Sequence, residues 1–208
     1  LNKNSFNPDN FRVVVLDEAD EMLDMGFRED LETLLKAAPE QRRTLMFSAT
    51  VPRTIAALAR RYQRDAVRVA TASAEEQHQD IAYEACSVRP VDRQNAIINL
   101  LRLNDDKKTV IFCATRALVS HLATRLANRG LSVVALSGEL NQAARNQAMQ
   151  AMRDGRARVC VATDVAARGI DLPNLDLVIH ADLPRTPDVL LHRSGRTGRA
   201  GRKGTAII

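Results

Sequence analysis

The chain has no tryptophan, two tyrosines and five phenylalanines among its 208 residues, an aromatic share of 3%. So small a supply argues against a broad stacking platform for splayed bases, since each base held that way needs an aromatic face beneath it. Cysteine is also scarce. Cys86, Cys113 and Cys160 are odd in number, far apart and without metal-ligand spacing, which argues against a zinc site and fits buried thiols in a reducing compartment. No apolar run approaches the about 18 residues that a membrane helix requires, and no signal peptide opens the sequence. A soluble, cytoplasmic protein with no membrane partner is the expectation. His78, His121, His180 and His192 show no pairing that suggests metal or nucleophilic catalysis, and His180 reads as a strand residue.

What is present is an ordinary globular composition, 45% apolar and 26% charged, with a net charge of +5. The excess favours a polyanionic partner, and its placement says more than its size. From Arg185 to Lys203 there are six cations, Arg185, Arg193, Arg196, Arg199, Arg202 and Lys203, against one acid, Asp188. Strand-like runs alternate with helix-like ones along the chain, the signature of an α/β fold with a parallel sheet flanked by helices. Strands are read at 12–16, 44–47 and 66–70, with helices at 28–37 and 53–62. Residues 71–80 lose almost all apolar character and read as a linker between a first segment, 1–70, and a second, 81–208. In the second segment strands at 82–88, 109–113, 132–136, 157–162, 176–181 and 204–208 alternate with helices near 92–103, 116–129, 142–153 and 186–193. That segment reads as a complete domain, whereas the first supplies only part of a sheet and is expected to expose apolar surface.

Two clusters carry chemistry. In Val13-Val14-Val15-Leu16-Asp17-Glu18-Ala19-Asp20, three carboxylates follow an apolar run of the kind buried on both faces of a parallel sheet. Residues at that point emerge at the carboxyl edge, where ligands bind. Asp17 can hold Mg²⁺ through water, because Mg²⁺ dehydrates reluctantly, and Glu18 can orient an attacking water. The second cluster, His192-Arg193-Ser194-Gly195-Arg196-Thr197-Gly198-Arg199, spaces arginines every three residues. In a helical turn Arg193, Arg196 and Arg199 would share one side, and Gly195 and Gly198 would allow close approach of backbone or phosphate. A planar, always-charged guanidinium fits phosphate oxygens, so the cluster reads as a polyanion clamp. With few aromatics, recognition should run through the sugar-phosphate backbone, with little sequence preference and marked salt dependence; RNA and DNA both fit.

Taken in order, the motifs resemble those of the DEAD-box RNA helicases, ATP-dependent enzymes with two RecA-like domains. Asp17-Glu18-Ala19-Asp20 is similar to the name-giving motif, and Ser48-Ala49-Thr50 to the motif that links hydrolysis to strand separation. Val110-Ile111-Phe112-Cys113-Ala114-Thr115-Arg116 and Gln142-Ala143-Ala144-Arg145 resemble the first motifs of the second domain. Ala162-Thr163-Asp164-Val165-Ala166-Ala167-Arg168-Gly169-Ile170-Asp171 and the arginine cluster complete the set.

The resemblance implies ATP and Mg²⁺ as cofactors and RNA as partner, contacted partly through its 2′-OH. It implies that ATP and RNA together draw two domains shut, bending the strand. Asp17 is the expected Mg²⁺ carboxylate and Glu18 the catalytic one; Arg196 and Arg199 should reach the γ-phosphate, with Arg193 bracing the acidic motif. Asp20, Ser48, Thr50 and His192 are expected to couple the site to domain closure. Gly169 and Asp171 are candidates for the nucleotide, Asp171 at a ribose hydroxyl. Thr115, Arg116, Gln142, Arg145, Thr163, Arg168 and Gly169 are candidates for RNA backbone contacts. Thr115 and Thr163 fit strand-end caps equally, and Gln142 a helix start. The family's P-loop, G-x-x-x-x-G-K-[ST], and its adenine-reading glutamine motif are absent from these residues. The sequence is therefore expected to be part of a longer protein, starting inside the first domain and inactive as an ATPase by itself. A non-catalytic RNA- or protein-binding module and a DNA-directed translocase on the same fold are the rival readings.

Overall fold

Thr109-Val110-Ile111-Phe112, Val159-Cys160-Val161-Ala162 and Leu177-Val178-Ile179-His180 are apolar or nearly so throughout, and a strand of that kind is stable only with both faces covered. In the computed structural model, which describes residues 7–70, 79–167, 175–199 and 201–208, all three are strands buried along their whole length. They form the middle of the sheet that the alternating pattern predicts.

The chain divides into two compact units, Leu1–Ala70 and Thr71–Ile208. The larger unit runs β3 (Ile81–Glu84), α4 (Arg93–Leu103), β4 (Thr109–Phe112), α5 (Arg116–Ala127), β5 (Val133–Leu136), α6 (Gln142–Arg153), β6 (Val159–Ala162), α7 (Asp164–Ala167), β7 (Leu177–His180), α8 (Pro187–Ser194) and β8 (Gly204–Ile207). Its six strands lie in the order β3-β8-β7-β4-β6-β5, each pair parallel. Alternation of side chains across the pleat divides the core in two. Val110, Phe112, Cys160, Ala162 and Val178 pack with Met149 and Met152 of α6 on one face. Ile111, Val159, Val161, Leu177 and Ile179 pack with Ile97, Ile98 and Leu101 of α4 and Val119, Leu122 and Leu126 of α5 on the other. Each fully buried aliphatic side chain stabilises by roughly 1.5–3 kcal/mol, so these strands are the rigid platform from which the loops depart.

Register brings the strand ends level: Phe112 lies opposite both Ala162 and His180, and Leu136 opposite Ala162. The segments after β4, β5, β6 and β7 therefore leave the sheet on one edge. From β4 the chain crosses toward β5, and from β7 toward β8, in opposite directions along the sheet. A crevice opens outside two neighbouring strands whose connections diverge, and here it lies between β4 and β7.

The smaller unit contains β1 (Val13–Leu16), α1 (Ala19–Asp24), α2 (Arg28–Ala37), β2 (Arg43–Met46) and α3 (Arg53–Tyr62). β1 and β2 pair in parallel, with Leu16, Ala19, Leu31, Leu35, Ile55 and Leu58 forming the core. Two expectations fail here, burial of β1 on both faces and a strand at 66–70, while the apolar exposure expected of the first segment is found. β1 is covered on one face only among the described residues, since Val13 and Val15 are 51% and 54% exposed, as is Phe47 just past β2 at 55%. The run 66–70 is not a strand: Val67 and Val69 are 85% and 83% exposed, and among the described residues no strand pairs with the run. β-branched alternation alone does not make a strand where no partner edge is offered. Helices α2, α3 and α6 match the bounds read from sequence, while α1 and the short α7 were legible only as motif residues.

Candidate nucleotide and nucleic-acid site

In the smaller unit the acidic motif turns sharply out of β1. Asp17 is exposed, and its Oδ1 accepts the Glu18 N–H at 2.9 Å. Glu18 sits in the left-handed region at φ 52°, ψ 44°, as the residue before α1. A side-chain-bearing residue held there is strained by roughly 1–3 kcal/mol, and the surrounding hydrogen bonds must hold it. They are present: the Phe47 N–H donates to the Leu16 carbonyl at 2.8 Å and the Ala19 N–H to the Phe47 carbonyl at 3.1 Å.

Asp20 points the other way. It is 4% exposed, and its Oδ2 accepts both the N–H and the hydroxyl of Thr50, each at 2.8 Å. Oδ1 accepts the Glu21 N–H at 3.1 Å, and the Ser48 hydroxyl donates to the Thr50 carbonyl at 2.5 Å. Burial opposes ionisation of Asp20, but the hydrogen bonds from Thr50, Ser48 and Glu21 outweigh it and hold the carboxyl below its ordinary 3.8. The segments after β1 and β2 are thereby tied through one carboxylate, which brings Asp20, Ser48 and Thr50 together.

In the larger unit the candidate contacts gather beyond the level strand ends. Thr115 follows β4 and caps α5, its hydroxyl oxygen accepting the Leu118 N–H at 3.2 Å. Arg116 pairs through Nη1 with Glu139 Oε1 at 2.7 Å, both exposed. Gln142 opens α6, where Asn141 is the cap, and its Nε2 donates to Asn146 at 2.9 Å. Arg145 lies one turn further on, half-buried. Thr163 follows β6, 9% exposed, with its hydroxyl oxygen accepting the Ala166 N–H at 3.4 Å. Thr115 and Thr163 thus act as helix caps, the alternative that their strand-end positions also fitted. Arg168, Gly169 and Asp171 lie outside the described residues.

The arginine cluster differs from a single helical turn. α8 ends at Ser194, with Gly195 as its cap, so Arg193 belongs to the helix and Arg196 and Arg199 to the turns after it. They do not share a side. Arg193 is 4% exposed and turned inward, whereas Arg199 is exposed and donates from Nε to the Gly195 carbonyl at 2.5 Å. Arg193 is engaged within its own unit: its Nε and Nη2 take the two oxygens of Asp164 at 2.6 and 2.8 Å, and Nη1 donates to the Asp182 carbonyl at 2.8 Å. The fork geometry of guanidinium is satisfied within its own unit. Gly198, at φ 63°, packs against Ile81, where a Cβ would collide with the Ile81 side chain. Close approach is therefore required there, by β3 as neighbour.

His192 is half-buried in α8. His180 ends β7 at 6% exposure, Nε2 3.3 Å from the Ser194 hydroxyl, with Nδ1 unpartnered among the described residues. Burial first, and the Arg193 charge second, push its pKa down to about 4. Burial and the Asp182 carboxylate push the Cys113 thiol up to about 12, and burial does the same to Cys160. Neither is a nucleophile. Asp164 and Asp182, which organise the cluster, were not singled out from sequence, although each follows an apolar strand as Asp17 does.

A parallel sheet with this strand order, with phosphate-suited side chains along its carboxyl edge, defines a RecA-like helicase domain. Residues 92–201 match the helicase conserved C-terminal domain family, and residues 1–58 the DEAD/DEAH box helicase family. The chain belongs to the DEAD-box RNA helicase family. Among curated relatives it is 39% identical to DEAD-box ATP-dependent RNA helicase 9 of Oryza sativa subsp. japonica and 38% identical to ATP-dependent RNA helicase DeaD of Buchnera aphidicola, with 100% of this chain aligned in both. It spans only 33% and 34% of their lengths. Among solved structures it is similar to the S. cerevisiae protein Dbp5 bound to RNA and ADP BeF3, with TM-score 0.85, 30% identity, and coverage of 99% of this chain and 55% of that one. A DEAD box protein from Methanococcus jannaschii gives TM-score 0.58 at 37% identity, with 99% and 55% covered.

Proposed function

We propose that this chain is part of a cytoplasmic ATP-dependent RNA helicase, an RNA-stimulated ATPase that separates short RNA duplexes or remodels RNA-protein complexes. One observation carries the reading: in a chain that matches helicase families in both units, Asp17, Glu18, Arg196 and Arg199 all keep the residue types that phosphoryl transfer needs. The donor set is an exposed carboxylate, Asp17, beside a half-buried one, Glu18, and among the described residues no three acidic, histidine or cysteine side chains cluster as a metal cage. That suits Mg²⁺, which keeps several waters and binds mainly to phosphate oxygens. Asp17 would hold it through water, and when bound it would neutralise charge on the phosphates of ATP. Glu18 orients the attacking water from its position beside Asp17 at the end of β1. Arg196 and Arg199 offset the charge that develops on the γ-phosphate, an effect worth roughly a thousandfold or more in rate.

Gly169 and Asp171 contribute to the nucleotide site, Asp171 at the ribose. Asp20, Ser48 and Thr50, joined by hydrogen bonds, transmit the state of the acidic motif to the segment after β2, and His192 and Arg193 do so for the arginine turns. Thr115, Arg116, Gln142, Arg145, Thr163, Arg168 and Gly169 meet the RNA backbone through hydroxyls, cations and main-chain amides at the carboxyl edge.

The test is steady-state ATPase of the full-length protein containing this chain, with single-stranded RNA, a matched DNA oligonucleotide or neither, beside a Glu18→Gln variant. Turnover stimulated by RNA alone and abolished in the variant is expected. Equal stimulation by DNA would favour a DNA translocase, and RNA binding without turnover a non-catalytic module.

A further inference from the structure

Resting on that reading, we infer that Asp182 is a positioning residue that holds the RNA-side loop after β4 and the arginine-bearing end of α8 in one geometry.

Asp182 follows β7, so it enters the crevice where the connections of β4 and β7 diverge. Each of its acceptors is used for a different element. Oδ2 accepts the Ala114 N–H at 2.8 Å, fixing the loop that carries Thr115 and Arg116. Oδ1 accepts Arg93 Nη1 at 2.7 Å, from the first turn of α4, and that same nitrogen donates to the Ala181 carbonyl at 3.2 Å. The backbone carbonyl of Asp182 accepts Arg193 Nη1 at 2.8 Å. Through Arg193 the contact runs on to Asp164, the residue after Thr163. The Asp182 side chain is only 16% exposed, although Arg93 is 42% exposed, and a charge-assisted hydrogen bond is stronger than a neutral one.

Two groups of candidate contacts are thus joined at one residue. On one side are Thr115, Arg116 and Thr163, which the proposed function assigns to the RNA backbone; on the other are the turns carrying Arg196 and Arg199. A shift of residues 114–116 on binding RNA pulls on the carboxylate, and the carbonyl of the same residue moves Arg193. The two functions use different atoms. An amide in place of the carboxylate loses the charge toward Arg93 and Ala114 but keeps the carbonyl on Arg193, so hydrolysis without RNA survives while its response to RNA does not.

The experiment compares Asp182→Asn, Arg93→Met and Arg93→Lys in the full-length protein, measuring ATPase against ATP and RNA concentration, with thermal unfolding of each. The expected result is RNA-stimulated kcat lowered about tenfold in Asp182→Asn and Arg93→Met, within the usual range for coupling between sites. RNA-free turnover and the KM for ATP should stay within about twofold, and Arg93→Lys should recover most of the stimulation. A residue of merely structural importance would lower stimulated and unstimulated turnover together, and that outcome overturns the inference. So does full RNA stimulation in both Asp182→Asn and Arg93→Met. Absence of RNA stimulation in the unmodified protein overturns the helicase reading first, and this inference with it; stimulation that survives the variants overturns this inference alone.

Discussion

Arg193 grips both oxygens of Asp164, at 2.6 and 2.8 Å, while its guanidinium carbon lies 5.3 Å from the centre of the Phe112 ring. A helix end, the segment after β6 and the last residue of β4 are fastened by one side chain that water hardly reaches. Removing Asp164 leaves Arg193 buried and unpaired, whereas removing Arg193 leaves a carboxylate that is 36% exposed and open to water.

Arg193→Ala is expected to destabilise the larger unit by about 2 kcal/mol, through the charge-assisted hydrogen bonds it loses, and Arg193→Lys by less, because lysine keeps the charge without the two-pronged geometry. Urea unfolding followed by circular dichroism measures both. Equal midpoints for Arg193→Ala and the unmodified chain would show that the pair contributes nothing net.

Acid should act on the smaller unit through Asp20. Its folded-state pKa is lowered, so its contribution to stability is complete above the ordinary 3.8 and is lost as pH falls through the lowered value. Thr50→Val removes one of the two Thr50 donors to Oδ2 and should raise the Asp20 pKa toward 3.8. Carboxyl-carbon chemical shifts across an acid titration read this directly.

His180 titrates in the opposite chemical sense with the same direction of effect. Its pKa is lowered from 6.5 to about 4 because burial keeps the ring neutral, so the unfolded chain takes up a proton first as pH falls between those values. Stability of the larger unit should decline over that window and be level above it. In His180→Phe, which retains an aromatic ring beside Phe112, the decline should disappear from a plot of unfolding midpoint against pH.

Gly198→Ala should cost about 2 kcal/mol or more. Two causes combine: the left-handed φ of 63° disfavours any Cβ, and that Cβ would strike Ile81. Thermal unfolding is the measurement. Gly195→Ala, at φ −65°, has the first cause removed and should cost less.

Much of the fold could be read from residue order, because parallel strands buried on both faces leave continuous apolar runs, as at Thr109–Phe112 and Leu177–His180, and because α2, α3 and α6 carry a clear helical stripe. Residues 66–70 misled for the complementary reason: their alternation is that of a strand, but a strand exists only with a neighbour to bond, and composition does not reveal one. Among candidate site residues, the nearness of Asp20 to Ser48 and Thr50 could be anticipated only through the motifs, since it depends on β1 and β2 lying side by side. The inward turn of Arg193 was hidden altogether. Spacing of three suggests one helix face, and only the end of α8 at Ser194 separates it from Arg196 and Arg199. Asp164 stands out only as a member of its motif and Asp182 not at all, because an acid after a strand shows no pairing until its basic partner is located in space.

The dependence of Gly198 on Ile81 bears on where the larger unit can be cut. The helicase family match begins at residue 92, downstream of β3, yet β3 covers one edge of β8, Asp80 accepts the Gly204 N–H at 2.9 Å, and Ile81 floors the turn between Arg196 and Arg199. A piece excised at the family boundary would leave β8 with a bare edge and the arginine turns without support. A protease nick between residues 84 and 92 that lets β3 drift away would disarm those arginines without touching one of them.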